Sequence, residues 1–172
     1  NHIMFGSSPL EIMACDAMLK GLIYCYGFTY SALWFGATAL GASVAVTQVT
    51  QISADSDFVI QRMNLLSYTA ADTPEVNPDF TLLLTIAGTG TNLMDQAQHV
   101  NNIVGNFFDN RVPCDLTMPI LIPANNNLTA QLTNRSAVAQ NFTQLSYVGF
   151  RVKYLQNPDG NPTTRQQVFH VL

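Results

Sequence analysis

The feature that most constrains the fold is a polar, turn-punctuated stretch over residues 118–155, MPILIPANNNLTAQLTNRSAVAQNFTQLSYVGFRVKYL. Apolar and polar residues alternate from Leu128 to Thr133 and again from Val148 to Tyr154. Apolar residues at every second position lie on one face of a strand. The Asn-rich segment ahead of these strands favours a tight turn, because Asn tolerates left-handed backbone angles. The stretch therefore predicts antiparallel strands that each bury one face.

Further strands are predicted on both sides of this stretch, over residues 57–68, 80–86 and 167–172. The segment FTLLLTI over residues 80–86 is apolar almost throughout, which predicts burial on both of its faces. Short strands separated by turn signals, without alternating long helices, are typical of an antiparallel sandwich. The predicted fold class is all-β, with a jelly-roll-like β-sandwich domain over residues 55–172. One insertion, between Gly88 and Pro119, is predicted as a long loop that crosses one end of the sandwich. Within it, residues 93–105 have apolar residues at helical spacing, which predicts a short helix.

Residues 1–54 are predicted to precede the sandwich as a helix followed by an apolar arm. A short helix is predicted over residues 9–22, with Ser8 as the N-cap, Pro9 at the first helical position and Glu11 in the first turn. Residues 21–54 carry no charged side chain. A charge-free run of this length is also compatible with a transmembrane helix. The polar and glycine residues within the run favour an arm that packs between subunits instead.

Composition limits the classes of partner. Charged residues make up 10% of the 172-residue chain, against roughly a quarter in ordinary soluble domains. Because exposed monomers usually carry Lys and Glu on their surfaces, this scarcity predicts that neighbouring subunits cover much of the surface. The net charge of −4 gives no basic footprint, so no nucleic-acid partner is predicted.

None of the sequence motifs considered for catalysis or ligand binding is complete in this chain. The segment GTGTN at residues 88–92 has Leu93 where a dinucleotide-binding loop needs a third glycine, and it lacks the Gly-Lys pair of a phosphate-binding loop. His99 and Asp95 are four residues apart, which favours a solvated helix surface over a metal site. No G-x-S-x-G motif is present. We therefore predict no catalytic, cofactor-binding or metal-binding residues, and we do not expect an enzyme.

The cysteines and the glycosylation motifs indicate no specialised chemistry. Three cysteines without a CxxC pair favour small buried hydrophobes in a reducing compartment: Cys15, Cys25 and Cys114. Sequons occur at Asn127, Asn134 and Asn141, within or beside the predicted strands. A chain this rich in Asn, Ser and Thr contains such motifs by chance. They do not argue for a secreted glycoprotein.

Four segments together resemble small virion structural proteins of tailed bacteriophages. They are DFVIQR from residue 57, FTLLLTI from residue 80, PILIPANNNLTAQLTNRS from residue 119 and LSYVGFR from residue 145. The resemblance covers about residues 55–155, and the apolar N-terminal segment departs from it. It implies a jelly-roll-like protein that decorates, cements or completes a capsid. The expected partners are its own copies, with a trimer favoured, and the major capsid protein, in virions assembled from protein made in the host cytoplasm.

Two sets of residues are predicted at the assembly interface. Aromatic anchors dominate interface energetics, so the main contact of the arm is assigned to Tyr30, Leu33, Trp34 and Phe35, with the core of the subunit as the alternative. Contacts between sandwiches are assigned to Arg135 and Arg151, with solvated turn and strand positions as the alternative.

Two other functions stay open. The first is a membrane-anchored virion protein with residues 21–46 in the bilayer. The second is a carbohydrate- or receptor-binding sandwich that uses its end loops, at residues 125–127 and 157–161.

Overall fold

The computed structural model describes residues 8–87, 91–106, 115–157 and 159–169. Two helices, α1 (Pro9–Leu19) and α2 (Arg165–Phe169), flank the strands, and short 3-10 turns lie at Gly36–Thr38 and Val100–Asn102. The strands are β1 (Ile23–Phe35), β2 (Ala45–Gln51), β3 (Asp57–Thr69), β4 (Phe80–Ile86), β5 (Thr91–Asn92), β6 (Gln98–His99), β7 (Gly105–Asn106), β8 (Asp115–Ile122), β9 (Asn127–Asn134) and β10 (Gln140–Tyr154).

The long strands form two sheets, and the chain passes from one sheet to the other between successive long strands. Sheet A contains β1, β10 and β3 in that order, with β7 and β8 on the far edge of β3. Sheet B contains β2, β9 and β4, with β5 and β6 on the far edge of β4. The first long strand pairs with the last, the second with the second last, and the third with β8, all antiparallel. This is a long hairpin rolled into two sheets, the jelly-roll arrangement, and the predicted all-β sandwich is confirmed.

The main core lies between the two sheets and is lined by alternate residues of the paired strands. From β1 it receives Ala32 and Trp34, and from sheet B it receives residues such as Leu82, Leu84 and Leu132. The indole N–H of Trp34 donates to the carbonyl of Val46, with 3.0 Å between nitrogen and oxygen, and so joins β1 to β2. A fully buried indole needs such a partner for its one polar group.

One glycine sets the geometry of sheet A. The pairing of β10 with β3 shifts between Val148 and Gly149, which leaves one extra residue on β3. A Cβ atom on Gly149 would lie 1.8 Å from the carbonyl oxygen of Val59. The two backbones approach this closely only because residue 149 has no side chain.

A second, smaller core covers one end of the outer face of sheet A. Helix α1 contributes Ala14 and Ala17, α2 contributes Val168 and Phe169, and both helices pack on residues of the sheet that include Ile23, Val59 and Val152. The predicted N-terminal helix is confirmed. Ser8 and Glu11 cap it reciprocally, and Lys20 pairs with Asp16 at 2.6 Å.

The segment predicted as an apolar arm instead forms sandwich strands. β1 and β2, at residues 23–35 and 45–51, are strands of the two sheets, so residues 23–51 do not extend away from a domain that starts at residue 55. The pattern misled because β1 is apolar on both faces. Ile23 lies under the helices, whereas Trp34, of opposite parity, faces the main core. No helix in the described residues is long and apolar enough to span a membrane.

Three local predictions were wrong. The segment at residues 93–105 is not a helix, because Gln98–His99 pairs with the edge of β4. Residues 165–169 form helix α2 rather than a strand. β4 buries only every second residue, because its other face is turned outward on sheet B.

Candidate assembly surface

The outer face of sheet A is mainly apolar and partly exposed at the end remote from the helices. Two rows of residues run across β1, β10 and β3 there. In one row Phe35 lies opposite Phe142, and Phe142 lies opposite Tyr68. In the next row Leu33 lies opposite Gln144, and Gln144 lies opposite Leu66. We call these six residues the outer patch.

The rings of the outer patch contact one another and leave one face open. The centroids of Phe35 and Phe142 are 6.1 Å apart, and those of Tyr68 and Phe142 are 6.2 Å apart, both pairs packed edge to face. The side chains of Phe35 and Leu33 are 56% and 45% exposed. Such aromatic residues, clustered on a rigid sheet, can anchor a partner with little loss of conformational entropy.

The four predicted arm residues lie on opposite faces of β1, the odd-numbered residues on the outer face and the even-numbered residues on the inner face. Leu33 and Phe35 lie on the outer patch. Trp34 is fully buried in the main core, so the alternative of an intramolecular role applies to it. Tyr30 packs its ring on Phe58, with centroids 4.9 Å apart, and its hydroxyl accepts a hydrogen bond from the backbone of Ser53.

Arg151 belongs to a charged cluster at the opposite end of β1. Its guanidinium lies 4.9 Å from the ring centroid of Phe28 and 5.6 Å from that of Tyr26. It donates to the hydroxyl of Ser56 and pairs with Asp55. Hydrogen bonds from Lys153 and then Ser53 hold the pKa of the Asp55 carboxyl well below its usual range. This cluster fixes the loop at residues 53–56 against β10.

Arg135 lies elsewhere, in the loop between β9 and β10. Its backbone N–H donates to the carbonyl of Asp79 at 2.9 Å. Its exposed side chain approaches the carboxylate of Asp79 only to 3.9 Å, between Nε and Oδ1. An exposed pair at this distance contributes little to stability. The structure thus does not bring Arg135 and Arg151 together with the outer patch.

The most deeply buried charge is Asp57, which ties α2 to sheet A. Arg165 donates to both carboxylate oxygens, the backbone N–H of Ala124 donates to Oδ1 at 2.7 Å, and the hydroxyl of Tyr154 donates to Oδ2. Burial, and then the hydrogen bond to Asp57, raise the pKa of Tyr154. Four donors occupy the acceptor positions of one carboxylate. This arrangement suits a structural clamp, and pattern reasoning missed it because its members are far apart in sequence.

The remaining candidate groups are held within the subunit. His99 lies 3.2 Å from Asp79, between Nε2 and Oδ1, and no group of three metal-ligating side chains occurs among the described residues. The side chain of Asn134 is fully buried and donates to the carbonyls of Gly41 and Val138. At the predicted end loop, Asn125 adopts a left-handed φ of 59°.

The cysteines divide between the surface and the second core. Cys15 is exposed, which corrects its prediction as a buried hydrophobe, whereas Cys25 is partly buried under α1. Burial, and then the nearby Cys15, raise the pKa of Cys25 to about 12. Cys114 and the glycine-containing loop at residues 88–90 lie outside the described residues.

The outer patch was only partly accessible to sequence reasoning. Leu33 is predicted from the sequence as an aliphatic anchor and Phe35 as an aromatic anchor, whereas Phe142, Tyr68 and Leu66 are not predicted. The signal for these three is the period of two along β10 and β3, which places them opposite the residues that fill the core.

No family model matches the chain, and no curated protein matches it. Among solved structures it is similar to the VP2 subviral particle of infectious bursal disease virus, with 12% identity and a TM-score of 0.33 over 78% of this chain. It is also similar to the Gx strain of that virus, with 13% identity and a TM-score of 0.35 over 82% of this chain. The chain spans only 38% and 34% of those two chains. The likeness is too low for the fold or function of either protein to be transferred.

Proposed function

We propose that this chain is a structural subunit of a virus shell. It decorates, cements or completes a capsid through contacts with its own copies and with the major capsid protein, and it performs no catalysis. The observation that carries this proposal is the outer patch, a mainly apolar and partly exposed surface on sheet A. The resemblance of the strand pattern to tailed-bacteriophage virion proteins, and with it a place in the virion, belongs to the same proposal.

The outer patch has the composition of an interface core. The centres of protein interfaces are depleted in charge and enriched in aromatic residues, and the six residues of the outer patch include three aromatic side chains and no charged one. Full burial of a side chain such as Phe35 contributes about 1.5–3 kcal/mol relative to leaving it in water. Phe35 and Leu33 are 56% and 45% exposed, so a partner that covers them gains about half of this amount from each, and a stable contact also requires the other residues of the outer patch.

The fold is compatible with this role. Jelly rolls occur in viral capsid proteins and in lectins, and a fold alone does not decide between them. The outer patch favours the capsid role, because it is a mainly apolar sheet surface that bears no charged residue. In addition, the low charge of the whole chain fits a protein whose neighbours cover its surface.

The test is the mass of the full chain in detergent-free buffer, measured by light scattering with size-exclusion chromatography over a range of concentrations. We expect association through the outer patch into a closed unit, with a trimer favoured, either alone or as the unit of larger species. The substitution Phe35→Ser should break up this unit. The matched control is Val49→Ser, which removes an equally exposed apolar side chain from the outer face of sheet B.

Two outcomes would overturn the proposal. The first is a wild-type chain that stays monomeric at every concentration. The second is a Phe35→Ser variant that associates as strongly as the Val49→Ser control.

A further inference from the structure

β1 is an edge strand of sheet A, and no other described strand pairs with the backbone along its free edge. β1 pairs with β10 on one side and lies at the end of sheet A. Its thirteen residues are IYCYGFTYSALWF, with no charged residue and no proline. Natural proteins usually protect a strand edge with lysine, proline, a bulge or a covering element, because an exposed edge pairs with other chains.

The pairing geometry shows which residues of β1 direct their backbone groups outward. Leu155 donates its N–H to the carbonyl of Leu22, at the position that continues the register of β1 with β10. In an antiparallel pair the hydrogen-bonded positions alternate. Even-numbered residues of β1 therefore bond to β10, and odd-numbered residues point their N–H and C=O groups to the free edge.

The chain itself protects the far half of this edge. The hydroxyl of Thr50 donates to the carbonyl of Ser31. At Phe35 the hydroxyl of Thr38 both accepts from the N–H and donates to the carbonyl. At the near end, Ile23 is only 3% exposed and cannot be reached. These contacts leave a run of three odd-numbered residues between the protected ends.

The three residues are Cys25, Gly27 and Thr29, and they form a symmetric set. Gly27 and Thr29 are exposed, and a Cβ atom on Gly27 would meet nothing within 4 Å. Among the described residues the only strand that pairs with β1 is β10, on the other side. A run of three positions centred on Gly27 can pair with an inverted copy of itself, with Gly27 opposite Gly27 and Cys25 opposite Thr29.

We propose that this edge binds the same edge of a second copy of this chain across a two-fold axis. The two antiparallel β1 strands then join two copies of sheet A into one continuous sheet. The inference rests on the proposed function and specifies its partner and its mode of contact. A closed trimer built through one surface cannot grow further, so extension into a shell needs a second contact of another symmetry.

The absence of charged residues from β1 favours a second copy of the same strand as its partner. Across this two-fold axis Gly27 faces its own counterpart, so a charged residue at position 27 would meet a like charge, which destabilises a cross-strand pair. β1 is free of charge along its whole length. The strand is therefore compatible with itself.

The test uses charge exchange at Gly27 in the full-length chain. Gly27→Lys and Gly27→Glu each place like charges opposite one another, whereas an equimolar mixture places opposite charges there. Gly27→Thr is the uncharged control, because threonine pairs are favourable between strands. We expect the wild type and the control to form species larger than the trimer, each charged variant alone to stop at the trimer, and the mixture to recover the larger species.

The outcomes distinguish this inference from the proposed function. If Gly27→Lys assembles like the wild type, or if mixing the charged variants restores nothing, edge pairing is refuted while the role of the outer patch stands. Phe35→Ser should leave edge-paired dimers, so a dimer in that variant supports both contacts. A wild-type chain that remains monomeric overturns both.

Discussion

On sheet B the outward residues are mostly threonine and glutamine, whereas the outer patch on sheet A consists of leucine, phenylalanine and tyrosine with one glutamine. The outward set on sheet B is Thr47, Val49, Gln51, Thr81, Leu83, Thr85, Thr129, Gln131 and Thr133. Sheet A covers one half of its outer face with its own helices and leaves the outer patch uncovered. The two sheets share one core, so their inner faces obey the same constraint. The difference between the outer face of sheet B and the outer patch therefore arises outside the core, and the proposed function explains it as a solvent-facing surface on sheet B and a partner-binding surface on sheet A.

The comparison depends on the pairing of β10 with β3 in sheet A, and the largest expected effect comes from disturbing it. Gly149→Ala would place a methyl group against the carbonyl of Val59, and we expect destabilisation of at least about 3 kcal/mol or loss of cooperative unfolding. Chemical denaturation followed by circular dichroism measures it. Gly27→Ala, where a Cβ has open space, is the control and should leave the free energy of unfolding nearly unchanged. Equal effects of the two substitutions would contradict the close approach.

Two neighbouring aromatic residues on β1 separate the inner from the outer face. Trp34→Ala removes a fully buried side chain and its hydrogen bond to Val46, and should lower the free energy of unfolding by about 3–5 kcal/mol. Phe35→Ala removes an exposed side chain and should lower it by no more than about 1 kcal/mol. Urea denaturation at low protein concentration provides both values. A larger loss for Phe35 would mean that the outer patch is part of the core.

The outer and inner sides of sheet A can also be compared through the hydroxyl groups of two tyrosines of β10. The hydroxyl of Tyr154, on the outer side, donates to the buried carboxylate of Asp57, so Tyr154→Phe should cost about 1.5–3 kcal/mol. The hydroxyl of Tyr147 is buried in the main core without a partner in the described residues, and burial raises its pKa. Tyr147→Phe should therefore leave stability unchanged or increase it by about 1 kcal/mol. Thermal unfolding of both variants at pH 7 checks this, and a comparable loss in both would refute the assignment.

The smallest expected effect concerns the reactivity of two thiol groups, which tests whether α1 and α2 stay packed on sheet A. Burial raises the pKa of Cys25 to about 12, so at pH 8 it has almost no thiolate, the reactive form. We expect iodoacetamide to label the exposed Cys15 rapidly and Cys25 only after denaturation. Peptide mass spectrometry separates the two sites. Equal labelling rates in the native protein would show that α1 leaves the sheet.

The elements whose signal lies within a short window of sequence could be predicted. β9 and the second half of β10 followed from alternation, and α1 followed from the cap of Ser8 with Glu11. Helix α2, which was not predicted, has a similar capping signal in its sequence. Thr164 and Gln167 bond to each other's backbone N–H groups, in the T-x-x-Q pattern of a capping box.

What could not be predicted depends on partners far away in the chain. β1 reads as a continuous apolar run because α1 and α2 cover its first residues from one side, while sheet B meets its last residues from the other. No local window contains that information. The segment at residues 93–105 failed for the same reason, because the edge of β4 supplies the hydrogen bonds that turn Gln98–His99 into a strand.

The single tryptophan of the chain gives the protein an internal optical probe. Trp34 is sealed between the two sheets and bonded to Val46, so its emission should be shifted to short wavelength while the sheets stay joined and should shift to long wavelength when they separate. Its side chain points away from the outer patch, so partners that bind there leave its surroundings unchanged. Fluorescence can therefore follow the integrity of the subunit during assembly, without a label and without interference from the contacts being formed.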